Sequence, residues 1–83
     1  MSKVFVQVMV PAIEKEYELW IPANKRIYNA IYYIVKAINE FTNGSYNPKK
    51  IPALYNKNTS EPYDINLTIK ESTIRNGTEL ILI

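Results

Sequence analysis

From Val4 to Val10 the valines Val4, Val6, Val8 and Val10 recur at every second position. All four therefore share one face of a strand, while Phe5, Gln7 and Met9 take the other. Pro11 cannot donate to a ladder and ends the run, so Pro11 to Lys15 reads as a hairpin loop. The alternation then resumes. Tyr17, Leu19 and Ile21 lie on one face of a second strand and Glu16, Glu18 and Trp20 on the opposite one. Pro22-Ala23-Asn24 breaks this strand, and Asn24 is placed to cap the start of a helix through its side-chain oxygen.

The period changes beyond that break. Ile27, Ala30, Ile31, Ile34, Val35, Ile38 and Phe41 follow the spacing of one helical face, with Asn29, Tyr32, Lys36 and Glu40 away from it. Gly44 is the expected C-cap. Lys25 and Arg26 sit at the positive end of the helix dipole, at a cost of a few tenths of a kcal/mol. Ser45 to Lys50 reads as a loop. Ile51 to Tyr55 follows as a short third strand, paired only after Pro52, and Asn56 to Ser60 as a turn. A weak fourth strand is expected around Pro62 to Ile65, a brief turn or 3₁₀ segment near Thr68 to Ser72, and an Asn76-Gly77 turn. The final strand, Glu79 to Ile83, turns Leu80 and Leu82 one way and Ile81 and Ile83 the other.

One helix with one apolar stripe needs one sheet face to cover it, which predicts a two-layer α+β domain spanning residues 1–83. If the last strand runs parallel to the first, this is the β-grasp fold, a mixed sheet of four to five strands with one amphipathic helix on one face. The length suits one core, and with neither Cys nor His the apolar fraction of 47% must build it without disulfides or Cys/His metal ligands. No stretch resembles a signal peptide or is long enough to cross a bilayer, so a cytoplasmic location without membrane insertion is expected. The sequons at Asn43, Asn58, Asn66 and Asn76 are then an effect of Asn-rich composition.

Ten basic residues against eight acidic ones leave a net charge of +2, scattered along the chain. A nucleic-acid binder gathers its cations, so none is expected as a partner. The seven tyrosines could stack on bases, but Tyr17 points into the core and Tyr28 and Tyr33 flank the apolar stripe. Packing is favoured for most of them, leaving Tyr32 the best exposed candidate. Glu14, Glu16 and Glu18 read as a solvated strand face. Asp64 is the sole aspartate, and no serine has a base as partner. No catalytic constellation is found, and no enzyme activity, cofactor or metal is expected.

The chain resembles the ubiquitin-like superfamily over nearly its whole length. The resemblance rests on Leu19-Trp20-Ile21-Pro22 leading to a helix near Ile27, on Leu67-Thr68-Ile69, and on Ile74 through Leu82. Within the superfamily it is most similar to the YukD/EsaB type, accessory proteins of type VII secretion in Gram-positive bacteria. The similarity lies in the short length, the Asn56-Lys57 turn, the Ile74 to Gly77 turn and an ending on the last strand. Conjugated members end in a flexible Gly-Gly tail. This chain has only Gly44 and Gly77 and ends at Ile83, so conjugation and sulfur transfer are not expected.

The sheet face away from the helix would carry Phe5, Met9, Trp20, Ile81 and Ile83 as one apolar patch flanked by Glu16, Glu18 and Lys3. Such a patch usually marks an interaction surface. Tyr55 extends it, with the register of its strand left open. The alternative is that these residues are scattered, or that the last two only cap the sheet edge. In ubiquitin the outer face is the main docking surface, and by resemblance Ile83 falls where that patch has an aliphatic side chain. The resemblance thus implies a non-enzymatic module that binds a protein, a secretion-machine component or a second copy of itself. The alternative is a structural or regulatory relative of ubiquitin-like domains carried by membrane proteins.

Overall fold

Val6, Val8 and Val10 have lost all solvent exposure in the computed structural model, which describes residues 2–83, and Val4 beside them is partly covered. They lie on strand β1 (Lys3–Val10), which a 3₁₀ turn (Pro11–Ile13) connects to β2 (Lys15–Pro22). Helix α1 (Ile27–Phe41) follows, then the short β3 (Leu54–Asn56) and β4 (Thr78–Leu82). The sheet order is β2-β1-β4-β3. β1 pairs antiparallel with β2 from Lys3↔Pro22 to Val10↔Lys15 and parallel with β4 from Val6↔Thr78 to Met9↔Ile81. The first and last strands are thus the central pair, with the helix covering one face: a ubiquitin-like β-grasp.

The alternation in the sequence became burial. Leu19 and Ile21 from β2, Leu80 and Leu82 from β4 and Leu54 from β3 face Ile27, Ala30, Ile31, Ile34 and Ile38 of the helix. Each such leucine or isoleucine taken fully out of water stabilises the fold by about 1.5–3 kcal/mol. Ile69 and Ile74, from the connection between β3 and β4, complete this core, as does Tyr46. Ser72 is the one buried polar residue among the described residues. Its hydroxyl donates to the Ile69 carbonyl at 2.7 Å and accepts the Ile74 N–H at 3.1 Å.

Several expectations are corrected. Asn24 is exposed and does not cap the helix, because it lies in a turn two residues before Arg26, which takes the N-cap position, and the chain at Lys25 and Arg26 pairs with the connection opposite. Lys25 accepts the Ile69 N–H at 2.9 Å, and Arg26 bridges Thr68. Backbone carbonyls satisfy the first helical amides instead: Ile27 donates to Leu67 at 2.8 Å and Tyr28 to Ile65 at 3.1 Å. The Arg26 guanidinium donates to the Asn66 carbonyl in the same loop.

Phe41 is 57% exposed, because the apolar stripe outruns the sheet. Its ring stacks on Tyr17 with centroids 5.5 Å apart. Thr42 is the C-cap, and Asn43 and Gly44 follow with positive φ of 53° and 86°. No strand forms at Pro62 to Ile65, where a single bridge joins Pro62 to Tyr55. The third strand starts at Leu54, after both Ile51 and Pro52, although Ala53 and Ile83 exchange two backbone hydrogen bonds beyond it.

Candidate functional site: the outer sheet face

The side chains that alternate with the core residues emerge on the helix-free side of the sheet, and strand register decides which become neighbours. Phe5 stands opposite Trp20. Their rings lie 5.1 Å apart and tilted by 54°, with Trp20 55% exposed. A second apolar row crosses three strands: Met9 pairs with Ile81, and Ile81 with Tyr55. This settles the Tyr55 register and puts five of the six expected residues on two apolar rows.

Between those rows runs a polar one. Gln7 pairs with Glu18 on one side and with Glu79 on the other. The register therefore divides the expected patch into a Phe5–Trp20 cluster and a Met9–Ile81–Tyr55 cluster. Lys57, which follows β3, sends its ammonium to 3.8 Å from Glu16 on β2. The two belong to opposite margins of the sheet, so the pair reaches over the central strands. With both side chains well exposed it contributes at most a few tenths of a kcal/mol.

Ile83 sits elsewhere. It is 67% exposed and borders a cleft of about 570 Å³ walled by Pro11, Ile13, Tyr46, Ile51 and Pro52. The sequence reading missed this cleft because Tyr46 occurs in a polar stretch. Its backbone is nevertheless held by Asn39, whose side-chain amide donates to the Tyr46 carbonyl at 2.8 Å, and burial raises the pKa of its phenol. The one signal in the sequence was the run of prolines and isoleucines around Pro11, Ile51 and Pro52.

The helix tyrosines also differ from expectation. Tyr28 and Tyr33 are each 44% exposed, only a little less than Tyr32 at 48%. The Tyr28 and Tyr32 hydroxyls lie 3.1 Å apart, an interaction that raises the Tyr32 pKa. Glu71 is the one carboxylate with a clear shift. Its pKa is lowered, chiefly by the Thr68 backbone N–H, which donates to Oε1 at 2.9 Å, then by the Thr68 hydroxyl and the Arg26 charge. Glu71 returns the contact through its own N–H to Thr68 Oγ1, a reciprocal capping box. It braces a turn. No group of three metal-ligating side chains occurs among the described residues. The outer face is suited to contact.

No protein-family model and no curated protein sequence matches the chain. Solved structures do. The ubiquitin-like domain of the Mycobacterium tuberculosis type VII secretion protein ECCD1 superposes with a TM-score of 0.77 at 15% identity, over 100% of this chain and 99% of that one. The EccD5 ubiquitin-like domain from Mycobacterium xenopi gives 0.79 at 18% identity, covering 100% and 94%. A chain of the MycP5-free ESX-5 inner membrane complex gives 0.78 at 17% identity, where this protein spans 21% of its length. At such identities the likeness establishes architecture: the chain has the ubiquitin-like fold, in the form also found in the EccD ubiquitin-like domains of type VII secretion systems.

Proposed function

We propose that this protein is a non-enzymatic interaction module of the YukD/EsaB type, serving in the cytoplasm as an accessory to a type VII secretion machine. It binds its partner through the outer sheet face. The observation that carries the reading is the Phe5–Trp20 pair, two large rings held on a rigid sheet with the indole more than half exposed. Exposed aromatics on a fixed scaffold are typical interaction anchors. Met9, Ile81 and Tyr55 add a second apolar row, and Glu18, Gln7 and Glu79 between them give polar groups that fix orientation. The likeness to EccD domains favours secretion as the setting.

The test compares wild type with Trp20→Lys and Ile81→Lys in affinity capture from the producing cells, with sedimentation of the purified proteins beside it. The reading expects both variants to lose a secretion component or a self-association while melting near the wild-type temperature. Undiminished capture of that component, with no self-association to lose, would overturn it.

A second reading has a specific observation behind it. In the ESX-5 inner membrane complex the matching chain is much longer than this one, so the same fold also serves there as one part of a larger chain. On this reading the protein is a structural or regulatory counterpart of a membrane-borne domain. Co-sedimentation with membranes distinguishes it from a free accessory.

A further inference from the structure

The two margins of the sheet are finished differently. At β3 the outer margin is covered, since Tyr63 donates to the Leu54 carbonyl at 3.1 Å and Asn56 to the Glu61 carbonyl at 2.9 Å. Beyond the end of β2 the chain is covered too, because Lys70 donates to Ala23 and Ile69 to Lys25. Between Lys15 and Pro22 nothing comparable occurs among the described residues.

The direction of each β2 amide follows from β1. Phe5 donates its N–H to Asn76 Oδ1 at 2.9 Å and accepts the Gly77 N–H at 2.7 Å, so its polar groups point toward β4. Direction alternates along a strand, and Val4, Val6, Val8 and Val10 must then bond β2. Their partners are Ile21, Leu19, Tyr17 and Lys15. Ala23 donating to Ser2 at 3.1 Å keeps the same phase. The intervening Glu16, Glu18 and Trp20 therefore point their N–H and C=O groups away from the sheet. No backbone or side-chain group among the described residues bonds those amides.

We infer that this open margin takes up an extended basic segment of a partner protein as a fifth strand. An uninterrupted eight-residue strand without an internal proline is a template for backbone pairing. Charge selects the guest. Glu16 and Glu18 line the outer side of the margin, where among the described residues Lys57 is the one cation within 4.0 Å of either carboxylate, and Tyr17 stacked on Phe41 lines the inner side. An added strand with Lys or Arg at every second position places cations beside the two carboxylates, and its alternate apolar residues meet the aromatic pair. A second copy of this chain is disfavoured, because joining two such margins sets Glu16 and Glu18 of each against those of the other. This site shares Glu18 and Trp20 with the outer face, but the backbone pairing that defines it does not depend on the outer-face reading.

The probe is an acetylated, amidated peptide of alternating lysine and valine, titrated into the full chain. Its controls are the same peptide with glutamate for lysine and the variants Glu18→Pro, Glu16→Lys/Glu18→Lys and Ile81→Lys. Proline at 18 removes one outward N–H and none of the bonds to β1. Binding should slow hydrogen exchange at Glu16, Glu18 and Trp20. Affinity should fall about tenfold in Glu18→Pro, as expected for one lost hydrogen bond with local strain, and at least as far in the charge-reversed double variant. Ile81→Lys should bind as wild type does. If Glu18→Pro does not melt cooperatively, the charge-reversed variant, altered only at exposed side chains, decides. Equal binding of the glutamate peptide, protection around Ile81 in place of Glu18, or no binding at millimolar peptide overturns the inference.

Discussion

Phe5 and Trp20 face each other across β1 and β2 at a pair whose backbone groups point to opposite margins, and their rings meet at 5.1 Å. Such non-bonded cross-strand positions bring side chains closest. An aromatic contact there contributes about 0.5–1.5 kcal/mol beyond its burial. Trp20→Ala should therefore cost no more than about 2 kcal/mol in chemical denaturation. As Trp20 is the only tryptophan, its emission should shift to the blue when a partner covers it. Emission that stays red in the bound state would place the partner elsewhere.

Ile34 is fully buried between the helix and the sheet. Replacing it with alanine removes three carbons and leaves a cavity, with an expected loss of about 2–5 kcal/mol. The same change at Phe41, stacked at the rim and 57% exposed, should cost far less. Denaturant midpoints of the two variants provide the check, and equal losses would mean that Phe41 belongs to the core.

Gly77 has a φ of +89°, and a Cβ built there meets nothing within 4 Å. The cost of Gly77→Ala is therefore backbone strain without a clash, about 1 kcal/mol. Since the Gly77 N–H bonds Phe5 and Asn76 Oδ1 accepts from Phe5, the strain should appear locally as faster hydrogen exchange at Phe5. Unchanged exchange there, with wild-type stability, would show that the turn relaxes without disturbing β1.

Glu71 has a lowered pKa because Thr68 donates to its carboxylate from both backbone and side chain. A carboxylate depressed in the folded state adds stability above its ordinary value of 4.5, lost as pH falls through the lower folded value. Glu71→Gln should flatten the fall of stability on acidification below about pH 4.5, while changing the pH dependence between 6 and 8 little. Melting temperatures of the two proteins from pH 7 to 2 test this. Parallel curves would show the capping box to be neutral in acid.

Much of the fold was legible because single residues carried it. Four valines at every second position and a helical stripe of isoleucines each have one favourable arrangement against a common core. Elements held by their surroundings were not legible. The chain at Pro62 has no strand pattern and is tied in by Tyr63 and Glu61, and the helix start is satisfied by Leu67 and Ile65 in place of Asn24. The sides on which Phe5, Met9, Trp20 and Ile81 emerge followed from alternation, whereas that of Tyr55, on a strand of three residues, needed its pairing with Ile81. The polar Glu18–Gln7–Glu79 row dividing them depends on strand register, which pattern along one strand leaves free.

The bonds from Ile27 and Tyr28 to Leu67 and Ile65 set an order of events in chain assembly. The adjoining Arg26–Asn66 contact spans 40 residues, and closing so long a loop is slow compared with winding an isolated helix. During biosynthesis the opening turn of α1 therefore stays frayed until the ribosome has released the stretch that seals it, however early its remaining turns have wound.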